Sequence, residues 1–257
     1  MATTAQARTA QAESTRFFTT MAFVMSAVII AGFSLHLAMG RSSFDAPFAY
    51  HVHGVIFMSW IGLYLAQHVT MGAGNRALHI SLGKLAYVWI PVMVAAGGMI
   101  ILVSVRSAGS PPFFDRNEFL VSNTALLLCF GGLGLWALRQ RRYTGWHRRL
   151  MLVAMAVLTG PGLGRLLPLP LMMPWSWTAT FLATLAFPVI GMGYDLRRHG
   201  QVHPAYWWGT GVYVAVFVGS MLLAYSPVGY AMTEWVVAGT PGAERPMEAF
   251  IPPGFAM

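Results

Sequence analysis

Eight histidines stand in a chain of 257 residues of which only 9% are charged. Imidazole is the side chain whose ordinary pKa lies nearest neutrality, and its neutral form is a common metal ligand. Ionisable groups are expensive inside a bilayer and tend to mark function there. Six of the eight histidines fall in or at the ends of long apolar runs: His36, His51 and His53 at one end, His68, His79 and His147 at the other. Two chemistries fit them. A b-type haem held between helices needs two imidazoles pointing inward from facing helices. His53 and His68, on one run, would lie about 22 Å apart along a helix axis, a spacing for two stacked haems that pass electrons across the membrane. The other chemistry is a transition-metal ion bound by His36, His51 and His53, with Asp45 beside them, because imidazole and carboxylate together suit zinc, iron or copper. The plain alternative for any one of these histidines is an interfacial side chain with a satisfied hydrogen bond, and that is the reading for His199 and His203.

Helical phase sorts the neighbours. Successive residues turn by about 100°, so Trp60, Tyr64 and Gln67 fall within about 40° of His53. They form one polar and aromatic stripe expected to face the bundle interior, with His68 beside it. His51 points nearly opposite His53 once the helix has begun. Arg165 follows His147 by five whole turns, so the two share a face at opposite membrane surfaces unless a kink at Pro161 intervenes. Arg165 is suited to a haem propionate, a quinone oxygen or an anionic headgroup. Arg148 and Arg149, beside His147, read as orientation charges.

The elements that must carry these residues are membrane spans. Hydrophobic residues make up 56% of the chain and the single cysteine, Cys129, allows no internal disulfide. A bilayer core takes about 20 apolar residues per helix. Seven runs meet that length, at 17–39, 49–71, 82–105, 119–140, 148–168, 175–194 and 206–225. The expectation is therefore an all-α polytopic membrane protein of seven transmembrane helices. Residues 1–16 would be a cytoplasmic tail, 17–225 the membrane domain and 226–257 an extracytoplasmic tail. Eleven of the 16 Lys and Arg fall on one side of the spans, and six of the eight acidic residues on the other. The positive-inside rule then puts the N-terminus in the cytoplasm and the C-terminus outside. The tail holds a short apolar stretch, Tyr230 to Val237, too short to span, expected to lie at the outer interface or to pack on a partner. The run Gly160-Pro-Gly-Leu-Gly164 reads as a kink with close helix packing, not as a phosphate loop.

Several functions drop out. The net charge of +8 tracks the loops between apolar runs, which speaks for membrane orientation and against nucleic acid. A retinal pigment needs a lysine deep in a helix, and the only lysine, Lys84, lies at a span end. No Asp or Glu falls in the middle of an expected span, which argues against a carboxylate-driven transporter.

The motifs carry a resemblance. His51-Val-His53-Gly54, then Trp60, Gln67 and Arg76, then His79-Ile-Ser-Leu-Gly83, then His147-Arg-Arg-Leu-Met151 and Arg165 resemble a family of uncharacterised bacterial seven-helix membrane proteins. The resemblance covers expected spans two to five, about half the chain. It implies that His53, His79 and His147 belong together, and it leaves His36 and His68 outside the pattern. That weakens both the outer metal trio and the 53/68 haem pair. The layout is also loosely similar to proteins of the cytochrome b561 type, in arrangement only.

The expected function is a haem- or metal-binding redox protein of the bacterial inner membrane that exchanges electrons with quinone. The haem would be haem b, with His53 and His79 or His147 as ligands and with Gln67, Tyr64 and Arg165 as nearby contacts. The rival expectation is a non-catalytic accessory subunit, bound to lipid and to other membrane subunits and holding no cofactor. Its motivation is the lack of any recognised catalytic motif.

Overall fold

The computed structural model describes residues 2–252, with side chains from residue 13 onward. The side chain of Arg8 and the end of the tail, 253–257, lie outside the described residues. The fold is all-α, with no strand among the described residues. Its helices are α1 (Ala2–Ala38), α2 (Phe48–Gly72), α3 (Arg76–Ala108), α4 (Arg116–Arg139), α5 (Thr144–Leu158), α6 (Gly160–Leu166), α7 (Leu169–Met172), α8 (Ser176–His199), α9 (Pro204–Ala224) and α10 (Pro227–Val237), followed by a 3-10 turn at Pro241–Glu244. Six are long and apolar enough to cross a membrane, namely α1 from Glu13, α2, α3, α4, α8 and α9; the pair α5 and α6 makes a seventh crossing if counted as one span. Large apolar side chains such as Leu222, Val55 and Val88 face outward, as lipid-facing residues should.

The fifth expected span is where sequence and structure part. Residues 148–168 do not form one helix: α5 ends at Leu158, and α6 leaves at an angle of 44°. Pro161 has no N–H to bond the carbonyl four residues back, so the ladder cannot continue there. The Thr159 N–H bonds instead to the Ala156 carbonyl at 3.1 Å, and the Thr159 hydroxyl donates to the same oxygen at 2.6 Å. The bend lets α6 cross α1 with almost no space between backbones. A Cβ on Gly32 would fall on the Gly162 carbonyl, and one on Gly162 would sit 2.7 Å from the Ile29 Cα. The glycine-rich run is thus a kink and a helix crossing, as its composition implies.

Two further stretches take helical form. Residues 2–16 continue α1 without a break, consistent with their alanine content. The apolar stretch at 230–237 is α10, which packs on α3, α4 and α9 of its own chain. The segment after it is strapped down by two arginines. Arg245 donates to the carbonyls of Gly109, Pro111, Pro112 and Phe114 and to the Ser110 hydroxyl. Arg116 donates to the Gly242 and Arg245 carbonyls at 2.7 and 3.0 Å. Burial, with Arg116 adding to it, holds the Arg245 guanidinium down to about 10.

The interior is built on α4, α5 and α9, which pack on one another. At one end of it Arg149 forks onto Asp195, Nε to Oδ2 at 2.7 Å and Nη2 to Oδ1 at 2.5 Å, with both side chains essentially inaccessible. Arg149 is therefore no surface orientation charge. Asp195 lies one residue beyond the expected span, and its Oδ2 also accepts the His203 N–H. A buried charge pair of this kind survives only with such complete hydrogen bonding.

Candidate functional site

The site is built from two short connections. Only Ala73, Gly74 and Asn75 separate α2 from α3, with Gly74 at φ 73° and the Asn75 side chain accepting the Leu78 N–H. A hairpin so tight brings residues equidistant from its turn face to face, so His68 of α2 comes beside His79 of α3. The connection from α4 to α5, residues 140–143, does the same for His147, which folds back on the end of α4. His68, His79 and His147 lie within electrostatic reach of one another.

Two of these rings are oriented by backbone. His79 Nδ1 lies 3.2 Å from the Gln67 carbonyl oxygen, and His147 Nδ1 lies 2.8 Å from that of Ala137. A carbonyl only accepts, so each Nδ1 carries the hydrogen, and the neutral ring keeps its lone pair on Nε2. This is how proteins prepare imidazole as a metal ligand: a second hydrogen bond fixes tautomer and ring angle. His68 is held differently, edge to face with Tyr64 at 4.8 Å.

The stripe on α2 is real and largely inward. Trp60 and Tyr64 are buried, while His53 and Gln67 are half-buried. Four of its polar atoms have no partner: His53 Nδ1, Trp60 Nε1, and both Nε2 and Oε1 of Gln67. Buried polar atoms are nearly always bonded, and orphans call for an explanation such as an absent water, ion or ligand. Here they line one face over more than three turns of one helix. Gly83 leaves room at the Gln67 amide, for a Cβ there would stand 3.6 Å from Nε2. The chain therefore offers oriented imidazoles at one end of the seam and unused amide and indole groups along it.

The other end of the seam holds a second set. Arg165, at the end of α6, lies over the Phe33 ring at 4.0 Å and donates to the Pro161 carbonyl at 2.9 Å. His36 and His53 are both within its electrostatic reach. His53 also stacks at a tilt on Phe57, 4.1 Å away.

Each expected residue can now be placed. His79 and His147 come together, with Gln67 and Tyr64 beside them. His53 lies at the far end of α2 and comes within electrostatic reach of Arg165 instead, so it does not stand at the level of His79 or His147. His51 is in the first turn of α2, where helical phase turns it away from His53. The trio His36, His51 and His53 consequently does not assemble, and no group of three or more His, Cys, Asp or Glu among the described residues is arranged around a metal. Two-imidazole ligation of a macrocycle needs no such trio. The bend at Thr159 also breaks the simple phase relation between His147 and Arg165.

Sequence reasoning set His68 aside, though the short connection at 73–75 was a signal that would have paired it with His79. It also missed the Arg149–Asp195 pair, whose only sequence signal is an acidic residue among basic ones at a span end. No protein-family model, curated protein or solved structure matches the chain.

Proposed function

We propose that the chain is a seven-span protein of the bacterial inner membrane, N-terminus cytoplasmic and C-terminus outside, that holds haem b or a related histidine-bound redox group and exchanges electrons with quinone. The bent pair α5 and α6 counts here as the fifth span. The distribution of Lys and Arg supports the orientation. The observation that carries the function is the pair His79 and His147, each with Nδ1 on a backbone carbonyl and Nε2 free, at the end of a seam of unpartnered polar atoms.

Bound haem would supply a one-electron couple whose potential its ligands and surroundings tune. The chain's own residues do the rest. His79 and His147 offer their Nε2 lone pairs as ligands, with His68 alongside as a further imidazole. The Gln67 amide and Trp60 indole offer hydrogen bonds along the seam to a quinone's carbonyl oxygens. Arg165 and His53, at the far end, supply positive charge and a donor for an anionic edge.

An absorption spectrum of detergent-purified protein, produced with ample haem supply, tests this. Air-oxidised and dithionite-reduced samples should differ by a Soret shift and sharp visible bands, and His79→Ala or His147→Ala should abolish them. Variants that both keep full cofactor content would overturn the ligand assignment, and a featureless spectrum would remove haem.

A second reading has one observation in its favour. On α10, Val228, Met232 and Trp235 are exposed beyond the last span, Trp235 at 80%. An accessory subunit would bury them against another membrane subunit, and co-purification at fixed stoichiometry would report it.

A further inference from the structure

At the end of the molecule that carries most of the basic residues, side chains of α1 meet those of α8. They touch through a stacked pair, Phe17 on Tyr194 with centroids 3.9 Å apart, and through the ion pair of Glu13 with Arg198. Between them is a cleft of about 440 Å³ lined by Phe17, Ile190, Gly193, Tyr194, Arg197 and Arg198. Its wall is apolar and its rim is basic. A Cβ on Gly193 would meet nothing within 4 Å, so the glycine opens the wall. The Tyr194 hydroxyl is buried without a partner, and so is Nε of Arg148, whose guanidinium lies over Phe18 at 4.7 Å within electrostatic reach of Tyr194.

We infer that this cleft is a binding site for one anionic phospholipid, its phosphate held by Arg197 and Arg198 and an acyl chain lying on Phe17, Ile190 and Gly193. Basic pockets between helices at a membrane surface take anionic headgroups. Three features select a lipid over a free phosphate. The cleft continues the membrane-facing surface of α8, where Val189 and Ile190 are exposed. Its wall gives a small inorganic ion nothing to contact. Glu13 neutralises part of the charge on Arg198, which weakens a purely electrostatic site and leaves the apolar wall to matter. The site is separate from the histidine seam and does not depend on it.

Native mass spectrometry of the full chain, extracted from nanodiscs of phosphatidylglycerol and phosphatidylcholine in equal parts, reads the outcome. Wild type should retain about one phosphatidylglycerol per chain through delipidation. Arg197→Gln should lower retention about fivefold, the effect of one basic residue near a charged surface. Gly193→Leu fills the wall without altering charge and should lower it as much. Arg142→Gln, which removes an exposed charge at the same end, should change nothing. Equal loss from Arg142→Gln and Arg197→Gln, or an unaffected Gly193→Leu, would reduce the effect to diffuse attraction and overturn the site. Displacement of the lipid by millimolar inorganic phosphate would equally overturn the lipid assignment.

Discussion

Gln67 concentrates the question of what the seam is for. Its amide nitrogen and oxygen are both buried and unpartnered, while its backbone carbonyl orients His79. An unsatisfied buried polar group costs roughly 1–3 kcal/mol. Gln67→Leu removes the orphaned atoms but keeps the carbonyl, so thermal unfolding in detergent should show stability unchanged or raised by about 1 kcal/mol. If the proposed cofactor is bound, its reduction by quinol should nevertheless slow. Lost stability together with unchanged reduction would make Gln67 a structural residue. His203 permits a different test, since it caps α9 just outside the last span. Its Nδ1 accepts the Ala205 N–H at 3.1 Å, which only an unprotonated Nδ1 can do. Burial first, and then the Arg149 charge, hold its pKa below the ordinary imidazole range. The folded chain thus favours the neutral ring, and the unfolded chain takes up the proton first as pH falls. Stability from this group is full above about pH 6.5 and declines as pH drops from there through the lower folded value. His203→Asn keeps a capping oxygen and does not titrate, so the difference in Tm between wild type and variant should shrink from pH 7.5 to pH 5.5. A difference independent of pH would show that the ring does not titrate on unfolding.

The helices were legible because a bilayer imposes their length, and six of the seven expected runs reappear as single helices long and apolar enough to cross a membrane. What composition could not show was continuity. A window over 148–168 averages apolarity and is blind to a single missing N–H, yet Pro161 turns that run into two helices 44° apart. The bend has a use, since it sets Gly162 against Gly32 and carries Arg165 to the end of the seam where His53 lies. Gly162→Val should therefore destabilise the protein by about 1–3 kcal/mol through overpacking. It should also displace Arg165, whereas Gly219→Val on α9, where a Cβ meets nothing, should leave stability within about 0.5 kcal/mol. Thermal unfolding of the two variants side by side checks this, and equal losses would mean that the crossing is not tight. The strap at the other surface could not have been read in advance. Arg245 binds almost wholly to backbone carbonyls, and a carbonyl leaves no signature in the sequence. The histidines were legible by end but not by partner, because partnership depends on which helices adjoin, and two short connections decide that.

The whole chain is asymmetric in charge, and that asymmetry underlies the proposed orientation. The end bearing His79 and His147 also bears Arg139, Arg141, Arg142, Arg197 and Arg198, while the opposite end is closed by the strap and holds Asp115, Glu244 and Glu248. Moving basic residues across a membrane during insertion is unfavourable, so the proposed orientation keeps the basic end in the cytoplasm. The placement bears on function: the inner histidines would then lie near the cytoplasmic surface, and Arg165 with His53 toward the outside. A single cysteine makes the assignment testable, because Cys129 is buried and can be replaced by alanine to give a background without reactive thiol. In that background, Glu248→Cys should react with a membrane-impermeant maleimide on intact cells, and Arg142→Cys only after permeabilisation. The reverse pattern would invert the molecule and put the imidazole cluster on the outer side. The polar seam would still span the same depth of bilayer, but under the proposed redox function electrons from cytoplasmic donors would then enter at Arg165 and His53 instead of at the proposed ligand pair.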